Sequence, residues 1–258
     1  MGSQVISMNN KSIKTLEYDK VIGQLVTFAQ SPLGKAKCQE LMPSTDLEEI
    51  QKNQAQTAAA LRLVYKKGSI SLSSIKEIRP SLQRLEIGGT LGLVELLSIS
   101  AVLDVTNRAK QYGRKAEEAE ADVLDPYFEQ LQPLTEINNE LKRCIISEEE
   151  IADDATPGLK SVRRAIKNTQ AQLQNQLNSI LNSSSTRPML QDAVITMRNG
   201  RYCLPIKSEY KGQFQGMLHD QSSTGSTLFI EPIAIVKLNN EIRELEIQEQ
   251  AEIEKLLA

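Results

Sequence analysis

Tryptophan is absent from this 258-residue chain, histidine occurs once, at His219, and aromatic residues make up only 4% of it. So few large aromatics leave little with which to build a sheet-dominated core, and plentiful Leu, Ile, Ala, Gln and Glu favour helices. The three cysteines, Cys38, Cys144 and Cys203, are odd in number and far apart. That argues against a disulfide framework and fits a reducing, cytoplasmic setting. One histidine and no C-x-x-C pair leave no means of assembling a zinc site of the common kinds. No apolar run approaches the roughly 20 residues that would cross a bilayer, and no basic flank precedes an apolar segment at the N-terminus. Neither a membrane partner nor a secretory signal is expected.

What is present is an ordinary apolar fraction of 40%, a charged fraction of 24% and an unevenly placed charge. The whole chain carries −3, yet residues 160 to 216 hold nine Lys/Arg against Asp192 and Glu209. That stretch is +7 and the remainder −10. A basic segment in an acidic protein is the pattern expected where one part meets a polyanion.

Most of the chain reads as helix. Leu16 to Gln30 carries an apolar face of Leu16, Val21, Leu25 and Phe28. Ser31-Pro32 caps a second helix through Leu41, stopped by Pro43. A long helix runs from about Asp46 to Lys67 and ends at Gly68. Ser73 or Ser74 is placed to cap a short helix to Glu86. Leu91 to Tyr112 is apolar over so wide an arc that it is expected at the centre of a bundle. Glu117 to Asp125 reads as a solvated acidic connection, followed by short helices at Pro126 to Gln132 and Leu134 to Ile146. Ser147 to Glu150 resembles a capping box opening a turn near Ile151. Met1 to Ser7, ahead of a second methionine at Met8, are expected to be an unstructured or vector-derived start.

From Thr156-Pro157 the pattern narrows. Leu159, Val162, Ile166, Thr169, Leu173, Leu177 and Ile180 are spaced 3-4-3-4-4-3, a coiled-coil-like seam on a helix about 35 Å long. Lys160, Arg163, Arg164 and Lys167 form a basic stripe beside it, read either as a solvated face or as a polyanion contact. The period then changes to two. Val194 to Arg198 and Arg201 to Ile206 flank Asn199-Gly200, the strongest short hairpin signal, and Pro205 places the second run at an edge or bulge. A second strand pair is expected at Gln213 to His219 and Ser226 to Ile230, around a turn at 222 to 225. Helical period returns after Pro232 through Leu238, Ile242, Leu245, Ile253 and Leu256. It reaches Ala258 without a stop signal, as if the helix continued.

The expected fold is therefore mainly α. A helical core (8–150) gives rise to a two-helix antiparallel arm (157–187 and 234–258) that carries a small antiparallel β tip (190–233) clear of the bundle. Arg198 and Arg201 flank the hairpin turn and, with Lys207 and Lys211, are the tip cations suited to phosphate contacts without base readout. His219-Asp220 beside Ser222 and Ser223 invites a nucleophile-and-base reading. Neighbours on a strand point to opposite faces, however, so a turn-stabilising polar network is the better one. Asp153-Asp154 and Glu148 to Glu150 lack partner ligands and read as solvated acids rather than a metal site. No catalytic site is expected.

Several of these segments resemble the second bacterial MutS family, MutS-two. They are Leu16-Glu17-Tyr18-Asp19-Lys20-Val21, Ser31-Pro32-Leu33-Gly34, Leu190-Gln191-Asp192, Arg198-Asn199-Gly200-Arg201-Tyr202, His219-Asp220-Gln221-Ser222 through Leu228-Phe229-Ile230-Glu231-Pro232, and Leu238-Asn239-Asn240-Glu241. The resemblance spans about residues 8 to 258. It implies a helical core and lever with a clamp-like tip, preceding a MutS-type ATPase and a small MutS-related nuclease domain. No G-x-x-x-x-G-K-[ST] phosphate loop is present, so ATP and Mg are expected only in that absent ATPase domain and no cofactor in these residues. The implied function is a lever and clamp on branched or duplex DNA in suppression of homologous recombination. An rRNA- or ribosome-binding arm for stalled or collided ribosomes is one alternative, and a helical protein-interaction scaffold another. A homodimer is implied for the whole protein; for these residues alone, Ile253 and Leu256 are the apolar positions that would pair.

Overall fold

The computed structural model describes residues 10–115 and 120–258. Residues 1–9, which include the expected unstructured start, and 117–119 at the beginning of the acidic connection fall outside them. The chain divides into two compact units, Met1–Ala152 and Asp153–Ala258.

The described residues of the first unit form helices joined by turns and loops. Its elements are α1 (Asn10–Thr15), α2 (Tyr18–Phe28), α3 (Pro32–Gln39), α4 (Leu47–Lys67), α5 (Arg79–Glu86), α6 (Leu93–Gly113), α7 (Asp125–Glu129) and α8 (Thr135–Cys144). The expected first helix, Leu16 to Gln30, is α2, which starts at Tyr18 after Glu17 in a left-handed conformation (φ 54°); the short α1 before it lies outside the expected helices. All four residues of the expected apolar face, Leu16, Val21, Leu25 and Phe28, are exposed. The helix expected from Ser73 begins at Arg79 instead, with Pro80 in its first turn, where a missing N–H costs nothing. Asp46 caps α4 through Glu49 N, 3.1 Å from its Oδ1, and Gly68 ends it at φ 81°. Lys67 then donates to the carbonyls of Tyr112 (2.7 Å) and Arg114 (2.6 Å), fastening the end of α4 to that of α6. Helix α6 is fully buried only at Ser100, Leu103 and Val105, not all round. Ser100 Oγ donates to Asn138 Oδ1 of α8 at 2.6 Å, and Asn138 Nδ2 to Asp104 at 2.8 Å. Ser147 to Glu150 lies where a turn near Ile151 is expected. It is a turn that closes an isolated antiparallel bridge between Ile145 and Ile151.

The second unit pairs α9 (Pro157–Leu181) with α10 (Val236–Leu257) around a four-stranded sheet. Thr156 caps α9, its Oγ1 accepting from Leu159 N at 3.0 Å. The predicted seam is buried at Leu159, Thr169, Leu173 and Leu177. Arg163 meets Glu249 and Thr169 meets Glu241, so the two helices run antiparallel. The strands are β1 (Thr196–Arg198), β2 (Arg201–Lys207), β3 (Gly216–Gln221) and β4 (Thr227–Pro232), in the order β1-β2-β4-β3 and antiparallel throughout. Asn199 and Gly200 both have positive φ, 52° and 72°, as the two-residue hairpin turn requires. Pro205 lies in an interior strand, yet β1 pairs only as far as Cys203. Beyond it, the Pro205 carbonyl accepts from Gln191 N at 2.8 Å, so on that side the strand behaves as an edge that needs no N–H donor.

The sheet does not sit on the helix ends as an appendage. Leu173 and Leu177 of α9, Ile242 of α10 and Leu204, Ile206, Leu228 and Ile230 of the sheet form one buried cluster. Burial of each such side chain contributes about 1.5–3 kcal/mol. Within this unit, helices and sheet share a single core.

Candidate nucleic-acid interface

The residues proposed from sequence divide into two groups on the second unit. Lys160, Arg163, Arg164 and Lys167 lie in the first half of α9, whereas the sheet packs on the second half, around Leu173 and Leu177. At 1.5 Å per residue the two groups are separated by roughly 20 Å along the helix. They do not form one patch.

Half of the eight cations are committed to internal ion pairs. Arg163 pairs with Asp153 at 2.8 Å and Glu249 at 2.7 Å, and Lys167 with Asp153 at 2.7 Å. Hydrogen bonds from Lys167 and then Arg163 hold the Asp153 carboxyl below its ordinary range. These contacts also give Asp153 a structural role, and no group of three or more potential metal ligands occurs among the described residues. Lys160 and Arg164 stay exposed and form no ion pair among the described residues.

At the hairpin, Arg198 and Arg201 are directly opposite each other. Like charges so placed repel unless each finds a counter-charge. Arg198 Nε takes Asp220 of β3 at 3.1 Å, and its guanidinium lies over the Phe229 ring, 4.0 Å from the centroid. Arg201 turns inward to Glu231 of β4, Nη2 to Oε1 at 2.5 Å and Nε to Oε2 at 3.1 Å. The expectation that both side chains project from the turn is thereby corrected: each is drawn back by a carboxylate of the neighbouring strand pair. Lys207 donates to the Pro188 carbonyl at 3.2 Å, and Lys211 is exposed.

Glu231 is the centre of this arrangement and is completely buried. Besides Arg201, it receives Asn239 Nδ2 at 2.7 Å and lies 2.6 Å from His219 Nε2. Arg201 Nη1 also donates to Asn240 Oδ1 at 2.7 Å. Burial pushes the Glu231 carboxyl up, but the bonds from Arg201, Asn239 and His219 outweigh it and hold it below the carboxylate range. Burial and, next, the Glu231 charge push the Cys203 thiol up to about 11. His219 and Asp220 thus serve different partners, Glu231 and Arg198, and do not form a relay. Ser222 Oγ accepts from Thr227 N at 3.0 Å and shapes the β3–β4 turn.

Glu231, Asn239 and Asn240 are absent from the residues proposed from sequence. Their signal was there: an acid inside the apolar run Leu228 to Pro232, and an Asn in the seam between Leu238 and Ile242. Together with Arg201 and His219 they come from several of the segments singled out by resemblance, and the fold gathers these distant segments into one buried network.

No family model matches the chain. Curated relatives do. The chain is 60% identical to "Endonuclease MutS2" of Lachnoclostridium phytofermentans over 97% of its own length and 32% of the relative's. It is 51% identical to the Agathobacter rectalis protein of the same name, and 40% to that of Acetivibrio thermocellus, with the same coverage. The chain belongs to the MutS2 family. It spans about a third of the length of these MutS2 relatives. Among the described residues, no helix is long and apolar enough to cross a membrane.

Proposed function

We propose that these residues form the lever and clamp region of a MutS2 protein, with the second unit engaging branched or duplex DNA through its phosphate backbone. The ATPase and endonuclease chemistry would then lie in the part of the MutS2 sequence beyond this third. The single observation that carries the reading is the core shared by α9, α10 and the sheet. A sheet keyed into two long antiparallel helices moves with them, so displacement along the helices is delivered to the sheet without loss to a flexible joint. The biological outcome proposed is restraint of homologous recombination.

The test is a salt titration of binding to fluorescent duplex and four-way-junction DNA. Two or three phosphate contacts predict a log–log slope of about −2 to −3. Absence of binding at low salt would sink the reading and leave a protein-interaction scaffold in its place. Ribosomal RNA offers the same phosphates, so ribosomes added as competitor distinguish the alternative: preferential loss of the DNA complex would transfer the function to the ribosome.

A further inference from the structure

Cations that are spent on internal carboxylates cannot also neutralise a ligand's phosphates without giving up their pairs. Removing Arg163, Lys167, Arg198 and Arg201 on that ground leaves the grip of the second unit to other residues. One end of the sheet gathers three of them, Arg187, Lys207 and Lys211, while Lys160 and Arg164 lie on α9 and Lys237 on α10. Lys207 closes β2 opposite Thr227, and its Nζ reaches the Pro188 carbonyl, which brings the 3₁₀ turn Arg187–Met189 alongside. Ser208 N donates to the Ser226 carbonyl at 3.0 Å, and Lys211 N to the Ser208 carbonyl at 3.2 Å. A chain of hydroxyls completes the rim: Ser222 to Thr224 at 3.4 Å and Thr224 to Ser226 at 2.9 Å.

We propose that this rim, made by Arg187, Lys207 and Lys211 with the hydroxyls of Ser208, Thr224 and Ser226, is where the unit grips a phosphodiester backbone, and that the Asn199-Gly200 turn takes no part. The inference rests on the lever and clamp reading and assigns its contact surface. Arg187 and Lys211 are exposed, and Lys207 is engaged only by a neutral carbonyl. The one acid within the rim is Glu209. The exposed large apolar residues of this unit, among them Met197, Met217, Leu218 and Ile233, all lie elsewhere. Cations and hydroxyls suit phosphate oxygens, which carry no base identity, so the grip is sequence-independent.

The experiment compares three forms of the 258-residue chain: the parent, the triple variant Arg187→Ala/Lys207→Ala/Lys211→Ala, and the double variant Lys160→Ala/Arg164→Ala. Each is titrated with duplex DNA and duplex RNA across salt. Circular dichroism melting confirms that each form is folded. For the rim variant the expected result is an affinity loss of at least about tenfold near 100 mM salt and a salt slope shallower by about 2 to 3. The double variant should bind like the parent. Equal loss on DNA and RNA marks pure phosphate recognition; a loss confined to one marks that backbone as the ligand. A rim variant that binds like the parent, or two variants that lose equally, overturns the rim while the lever and clamp reading stands. A parent that binds neither polymer at low salt overturns both.

Discussion

The side chain of Asn239 meets Tyr202 as a neighbouring strand would, its Oδ1 accepting the Tyr202 amide at 3.2 Å and its Nδ2 reaching the Tyr202 carbonyl at 3.4 Å. Continuing the β2–β4 register by two residues places Pro232 opposite Tyr202, and proline has no N–H to offer. A helix residue therefore completes the sheet's hydrogen bonding, and the same Nδ2 holds Glu231 at 2.7 Å. Sheet and α10 are joined by polar bonds as well as by apolar packing.

Replacing Glu231 by Gln keeps the shape but leaves Arg201, only 17% exposed, without a counter-charge. Loss of one partner from a buried pair costs on the order of 3 kcal/mol. Hydrogen exchange of the 201–207 amides should accelerate accordingly, with the first unit unaffected. Unchanged protection would mean that Arg201 reaches solvent at little cost.

The pH dependence follows from the same carboxylate. Its pKa is lower in the folded state than in the unfolded chain, where about 4.3 is usual. Its contribution is therefore present above that unfolded value and is lost as pH falls through the carboxylate range towards the folded one. Urea unfolding followed at 201–207 should show a steep loss of stability below about pH 5 in the parent. In Glu231→Gln the fall should be shallower. Parallel curves would remove Glu231 from the account.

Gly216 opens the edge strand where a Cβ would overlap the carbonyl oxygen of Glu231 and Cγ2 of Ile230. Backbone there has no room to give, so Gly216→Ala should cost roughly 1–3 kcal/mol. Limited proteolysis is expected to cut first between 212 and 221. A digestion pattern like the parent's would show that β3 can shift without loss.

Thiol labelling separates the cysteines. Cys203 is fully buried, with its thiol held at about 11, and Cys144 is buried too. Cys38 is only partly covered. Near pH 7.5, Cys38 should react first, and Cys203 only at the rate at which the second unit opens. Glu231→Gln should speed Cys203 labelling without altering Cys38. Rapid labelling of Cys203 in the parent would contradict the shared core.

Some features were legible in local pattern alone. The spacing from Leu159 to Ile180 makes a seam on any α-helix, and Asn199-Gly200 supplies the positive φ values that a two-residue hairpin needs. Others were not. The start of α5 depends on Pro80, whose fixed φ suits a first turn, rather than on Ser73 or Ser74. The break at Glu17 has no local signal beyond the residue itself. Local pattern does not fix the orientation of Arg198 and Arg201, because their partners, Asp220 and Glu231, come from another strand pair.

The chain's own order of residues determines the helical character, the antiparallel arm and the hairpin, because periodicity and turn chemistry act over a few neighbouring positions. Only the tertiary structure decides which cations are free. Whether a lysine or arginine faces solvent or a carboxylate can depend on residues 10 to 86 positions away, as between Arg163 and its partners Asp153 and Glu249. Electrostatic pairing is a property of distance in space, and local pattern carries no record of it.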